Sequence, residues 1–260
     1  MKASDFVIEN GSLIQYIGKD EHVEIPSNVS SIRDFAFAEN KKIKSVVMPN
    51  SIFEMTNGVF AKCKKLERVI FSDSLTEIGS FTFHECSNLI GVQLPKSLNR
   101  INRLVFYKCK KLSEVVLPNG VSYIGANAFE GCASLAKITL PCSVERICDR
   151  AFARCTDLRE ISIMGEDLNI GHSLFAEASP NIKIEYSGTS AAFVNMIFNP
   201  KRQPMPWLTI GHAAPYQPAR QSEEQFIYDA ENTFRIEVLC KKDGKTLTFR
   251  SNKDERSAMS

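Results

Sequence analysis

Apolar residues return along this chain at a fixed interval. Phe37, Phe60, Phe83, Phe106, Phe129, Phe152 and Phe175 follow one another every 23 residues without a slip. Six positions after each of the first six stands Ile43, Leu66, Leu89, Leu112, Leu135 or Leu158, and nine positions after stands Val46, Val69, Val92, Val115, Ile138 or Ile161. Eleven positions after come Met48, Phe71, Leu94, Leu117, Leu140 and Ile163, four of them followed by proline. A fifth column runs Ile32, Met55, Ile78, Ile101, Ile124, Ile147 and Ile170. Self-similarity at a period of this size is the mark of a repeat architecture and decides how every other motif is read.

Within each unit the spacing of Leu112, Val115 and Leu117 turns two residues inward around an outward Val116, the alternation of a short strand. Pro118 then stops the ladder, having no N–H to give. A second apolar pair follows, Val121 and Ile124, with Gly125 expected to supply a bend, and Ala128-Phe129 opens a compact turn back to the next strand. One unit cannot bury its own apolar side chains, so they become core only when neighbours stack above and below. At about 4.8 Å per stacked strand, seven units predict a slab roughly 30 Å long.

The strings "AFAENKKIKSVVMPNSIFEM", "VFAKCKKLERVIFSDSLTEIG", "VFYKCKKLSEVVLPNGVSYIG" and "AFEGCASLAKITLPCSVERI" resemble the BspA-type leucine-rich repeat. The likeness covers about residues 5–189, and the opening "FVIENGSLIQYIGKDEHVEIPSNVSSI" is similar to that family's usual first unit. The resemblance implies a right-handed repeat solenoid, β-rich with short turn returns, about seven 23-residue repeats long and capped at both ends. It implies a binding module, often tied to adhesion at a cell surface, and offers no catalytic residues to carry over.

Cys63, Cys86, Cys109, Cys132 and Cys155 each stand three residues after a Phe, in a column that ends at Asn40 and Ala178. Free cysteine is a small, mostly buried side chain suited to a tight turn. The column therefore reads as reduced packing. Bridges between units are the alternative, but pairing would strand one of five. A metal site lacks both a CxxC pair and a histidine at ligand spacing. Cys142, Cys148 and Cys240 lie off the column and read as the more reactive thiols. Of the four histidines, His84 and His172 stand beside the Phe column, on turns expected to face water. No phosphate loop, HExxH or GxSxG string is present, so the reading is non-enzymatic, with no cofactor.

Composition changes this picture little. The chain has 260 residues, 43% hydrophobic and 24% charged, with a formal net charge of +2. A balance so near neutrality gives no strong pull toward nucleic acid or membrane surfaces. There is no run of 18 apolar residues, and "MKASDFVIENG" lacks an apolar leader. With unpaired cysteines, the sequence as it stands points to the cytoplasm; a trimmed N-terminus would change that to the cell surface or secretion.

Two surfaces are candidates for binding. The outward positions of the strands form a grid on the inner sheet face: Ser45 and Val47, Arg68 and Ile70, Gln93 beside Gly91, Glu114 and Val116, Lys137 and Thr139, Glu160 and Ser162. Val47, Ile70 and Val116 are apolar where water is expected, which favours a protein ligand. The smaller residues toward Gln93, Thr139 and Ser162 suit a glycan or a peptide instead. Strand propensity alone would account for the same valines and isoleucine. The other surface is an edge where Lys41-Lys42, Lys64-Lys65 and Lys110-Lys111 share two repeat positions. A solvated edge is the plain reading there, an anionic partner the alternative, and stacking aromatics for single-stranded nucleic acid are absent.

The ends are expected to close the core. Residues 1–24 read as a hairpin cap turning at Asn10-Gly11, the favoured two-residue hairpin turn. The solenoid occupies 25–189. Residues 190–222 read as a helical segment ended by Pro200 and a proline-rich linker around Trp207. Residues 223–260 hold a β-hairpin across Asp243-Gly244, which would seal the last repeat, stand alone, or pair with a second chain. An enzyme-accessory role for the last 70 residues is the competing function.

Overall fold

A computed structural model describes residues 2–166, 168–171, 173–193, 224–227 and 235–251. The 23-residue period becomes one turn of a β-solenoid of about eight turns. Each turn contributes a short strand to one broad parallel sheet face, hydrogen-bonded in three successive stretches: His22–Glu24, Ser45–Val47 and Arg68–Ile70; Gly91–Gln93 and Glu114–Val116; Lys137–Leu140, Glu160–Ile163 and Asn181–Tyr186. Neighbours pair in register, Val23 with Val46 and Val46 with Val69, then Ile138 with Ile161 and Ile161 with Ile184. These central residues face inward, and the residues on either side of them face out. A second, narrower ladder of two-residue strands pairs Ile101, Ile124, Ile147 and Ile170.

The third side of each turn is the Phe corner. Phe37 to Phe175 are buried, and successive ring centroids lie 5.1, 5.5, 5.5, 5.3, 5.4 and 6.2 Å apart, mostly stacked. Tyr16 and Phe6 extend the pile beyond Phe37 at 5.2 and 5.1 Å. Stacked phenyl rings fill the interior and gain an aromatic contribution beyond area burial. The backbone here is hydrogen-bonded from turn to turn. Phe60 N–H donates to Thr82 O at 2.9 Å, Phe83 N–H to Val105 O at 2.8 Å and Phe106 N–H to Ala128 O at 2.8 Å.

Around the first five Phe residues the positions two before and two after donate in the same way, as Leu104 to Ala126 and Lys108 to Glu130 do around Phe106. Both positions hold left-handed φ in every turn. Phe35, Gly58, Phe81, Leu104, Asn127, Arg150 and Ser173 form the first column; Glu39, Lys62, Glu85, Lys108, Gly131, Arg154 and Glu177 form the second. Only two of these fourteen are glycine, so the stack carries backbone strain that its inter-turn hydrogen bonds offset. At Gly125 the bend expected from sequence has a different cause. Its φ is not left-handed; a Cβ would stand 2.6 Å from Arg103 N, so glycine is needed for close approach of two turns.

The N-terminal hairpin forms as expected. Phe6–Glu9 pairs antiparallel with Ser12–Tyr16 across Asn10 and Gly11, both left-handed, and buries Phe6, Leu13 and Tyr16. At the other end Arg235–Cys240 pairs parallel with Asn181–Tyr186 and antiparallel with Thr246–Ser251. Val238 lies opposite Leu247 and Ile236 opposite Phe249 across the Asp-Gly turn. Of the alternatives for this hairpin, the structure has it extend the broad sheet past the last repeat. A short strand at Glu224–Ile227, unforeseen in the sequence, flanks Thr246–Ser251. A helical turn starts at residues 190–193; the remainder of that segment, the proline-rich stretch and Trp207 lie outside the described residues.

Candidate functional site

The outward face of the broad sheet is built by the same alternation that builds the core. Ser45 pairs with Arg68 and Val47 with Ile70; Gly91 pairs with Glu114 and Gln93 with Val116; Lys137 pairs with Glu160 and Thr139 with Ser162. The eleven residues singled out from sequence therefore lie in two columns on one face. Arg68, Ile70, Gln93, Glu114, Val116, Lys137, Thr139 and Glu160 are exposed, while Ser45, Val47 and Ser162 are half-buried. Val116 is 75% exposed and Ile70 53%. Ser45 is also tied to its neighbour one turn before, its Oγ lying 2.7 Å from His22 Nδ1.

Both columns continue onto strands that sequence reasoning left out. Lys183 and Glu237 extend the first, Glu185 and Leu239 the second. Glu114, Lys137, Glu160, Lys183 and Glu237 thus alternate in sign, an arrangement that favours cross-strand attraction. The signal was present in the alternating strings "NIKIEY" and "RIEVLC". Over these last strands the face holds a shallow open groove of about 370 Å³, lined among others by Glu160, Ser162, Lys183, Glu185, Leu239 and Thr246. Glu185 is paired with Lys241 at 3.2 Å.

The cysteine column is scaffold. Each thiol donates to the carbonyl of the Phe one turn before: Cys63 to Phe37, Cys86 to Phe60 and Cys109 to Phe83 at 3.0 Å, Cys132 to Phe106 and Cys155 to Phe129 at 3.2 Å. All eight cysteines are free thiols. Burial pushes the Cys63 and Cys155 thiols up to about 12 and those of Cys86, Cys109 and Cys132 well above their ordinary value. Such thiols are poor nucleophiles, since the thiolate is the reactive form. Off the column, Cys142 is exposed and Cys148 half-buried with its Sγ 3.2 Å from Tyr123 Oη. Cys240 departs from the expectation of reactivity, because it packs fully buried in the sheet-extending hairpin.

His84 is a second departure. It was expected to face water, yet its side chain is only 23% exposed and its ring stacks on Tyr107 at 5.0 Å. The column it occupies explains why. Ala61, Ala153 and Ala176 are buried at the equivalent place, so a large residue there must lie against its neighbour. Burial lowers the His84 pKa, opposed by Glu85 3.7 Å away. His172 lies outside the described residues. In the same column Glu130 is buried and held by Arg150 through two hydrogen bonds of 3.0 and 3.2 Å. Among the described residues no cluster of His, Cys, Asp and Glu is placed to hold a metal ion.

Short strands on one side, a hydrogen-bonded corner on the other and one unbroken core between them define a leucine-rich-repeat solenoid. The BspA-type leucine-rich repeat region model matches residues 15–109 and 78–201 in six copies, and the chain belongs to that family. It is similar to the leucine-rich repeat protein of T. pallidum, at 32% identity and a TM-score of 0.65, covering 68% of this chain and 88% of that one. It is also similar to leucine-rich repeat proteins of Bacteroides ovatus (25% identity, TM-score 0.52) and Eubacterium ventriosum (24%, 0.62). Each of these matches covers 67% of this chain, and respectively 58% and 50% of the bacterial one. No curated protein matches the chain. Among the described residues no helix is long and apolar enough to cross a membrane.

Proposed function

We propose that this chain is a non-catalytic interaction module that captures a protein ligand on the outward face of its broad sheet. The observation that carries the reading is the exposure of Val116 and Ile70 in a column where water-facing residues belong. A buried apolar contact there, ringed by Arg68, Gln93 and Glu114, has the layout of a binding patch with a polar rim. Membership of a repeat family whose relatives are leucine-rich repeat proteins supports an adhesion or interaction role. The test is capture from a cell extract by the intact chain and by V47E/I70E/V116E. Loss of the captured protein with an unchanged thermal midpoint supports the reading, and undiminished capture contradicts it.

A glycan is the second reading, favoured by the groove over Glu160, Ser162, Lys183 and Thr246, whose lining is mainly polar side chains. A glycan ligand survives V47E/I70E/V116E and is lost in S162A/K183A.

A further inference from the structure

The turns between the Phe corner and the broad sheet carry many lysines, and they fall into two groups. Lys44, Lys62 and Lys108 each bridge to a glutamate one turn before: Glu21 at 2.6 Å, Glu39 at 3.0 Å and Glu85 at 3.8 Å. Lys41, Lys42, Lys64, Lys65, Lys110 and Lys111 lie exposed between those pairs, and among the described residues none of the six forms an ion pair. Glu21 feels Lys65, and Glu39 feels Lys41 and Lys64, but both carboxylates are already hydrogen-bonded to Lys44 and Lys62. Glu21, Glu39 and Glu85 are thus engaged by other lysines, and the six lysines outnumber the one further exposed carboxylate beside them, Glu67.

Their arrangement is linear. Lys41-Lys42 and Lys64-Lys65 sit on adjacent turns, and Lys110-Lys111 two turns further, so the strip runs roughly 14 Å along the stack at about 4.8 Å per turn. Ser87-Asn88 fills the intervening turn with hydrogen-bonding groups. The strip stops there: Ala133-Ser134 and Thr156-Asp157 occupy the same places in later turns. No aromatic ring interleaves the lysines, as base stacking would require. None of the large exposed apolar side chains occupies these two repeat positions, so nothing there anchors a lipid surface.

We propose that this edge, over the four turns from Lys41 to Lys111, binds a linear acidic polysaccharide, sulfated or uronate-bearing, lying along the stacking axis. Charges repeated at the turn spacing match a polymer that repeats its own anionic groups, and lysine ammoniums engage such groups as point charges. This surface is distinct from the sheet face and stands whether or not that face binds protein.

The probe is a defined heparin fragment, with the full chain and K41Q/K42Q/K64Q/K65Q/K110Q/K111Q compared by titration across a salt series. The six-lysine variant is expected to bind about 30-fold more weakly near 0.15 M salt, with a flatter dependence on salt because fewer counterions are released. The matching six-fold Lys→Arg variant retains binding and its salt dependence, and an unchanged thermal midpoint shows that each variant is folded. A matched pair, K64Q/K65Q against K96Q/K245Q, separates the edge from overall charge; Lys96 and Lys245 are exposed away from these repeat positions. No binding of heparin, equal binding by wild type and the glutamine variant, or equal weakening by the two matched pairs overturns the proposal. Tighter binding of polyglutamate, duplex DNA or phosphatidylserine vesicles than of heparin overturns the polysaccharide assignment.

Discussion

The Phe corner and the outward sheet face belong to the same turns of chain and follow opposite rules. At the corner each turn repeats the last: a buried phenyl ring, two left-handed residues and, in the five middle turns, a thiol donating to the previous Phe carbonyl. On the sheet face no two neighbouring turns agree, the second column reading Val47, Ile70, Gln93, Val116, Thr139 and Ser162. Stacking dictates the first set, because any change is felt by the turn above and the turn below. Water or a ligand meets the second, which is free to vary. The contrast separates residues that hold the solenoid from residues that give it a partner.

The sharpest way to break the contrast is at the corner. Phe106→Ala, in the middle of the ring pile, is expected to cost about 3–5 kcal/mol in denaturant unfolding. Because stability in a repeat array is carried between neighbours, the transition should also split into two. A single transition with an unchanged midpoint would mean the rings are not mutually dependent. Alkaline pH should act next most strongly. The Cys63 and Cys155 thiols titrate near 9.0 when unfolded and at about 12 when folded. Their stabilisation is complete below pH 9 and is lost as pH rises toward 12, at about 1.4 kcal/mol per thiol per pH unit. C63A/C155A should flatten that decline, and a slope unaffected by the substitutions would refute it.

Smaller effects sharpen the comparison. Lys108→Gly relieves a left-handed residue whose counterpart one turn on is Gly131, and should stabilise by about 0.5 kcal/mol in thermal unfolding. Destabilisation instead would show that Lys108 earns its place through Glu85 and Tyr107, over whose ring its Nζ lies at 5.0 Å. Val116→Thr, on the exposed face, should shift stability by no more than about 0.5 kcal/mol. A larger loss would make that face part of the scaffold.

What was legible in the sequence follows the same division. Buried columns must keep their chemistry, so Phe37 to Phe175 and Cys63 to Cys155 announce the period, the core and the strand alternation. The left-handed columns were invisible, because hydrogen bonding along the backbone imposes them and the side chains there range from Phe81 to Arg150. The salt bridge between Glu39 and Lys62 and the double one between Arg154 and Glu177 depend on that hidden register as well. The burial of His84 is not legible locally, because it comes from Tyr107, 23 residues away, in a column that Ala61, Ala153 and Ala176 mark as crowded. The outward grid was placed residue by residue, but its continuation over Lys183, Glu185, Glu237 and Leu239 depends on a hairpin pairing with the last repeat, which strand alternation alone does not specify.

Thiol labelling tests the shared interior most directly. With the native chain and a small maleimide, followed by mass spectrometry of each cysteine, Cys142 should label at once and Cys148 slowly. Cys63, Cys86, Cys109, Cys132, Cys155 and Cys240 should label only after denaturation. Rapid modification of the five column thiols in the folded chain would contradict a continuous core built from stacked turns.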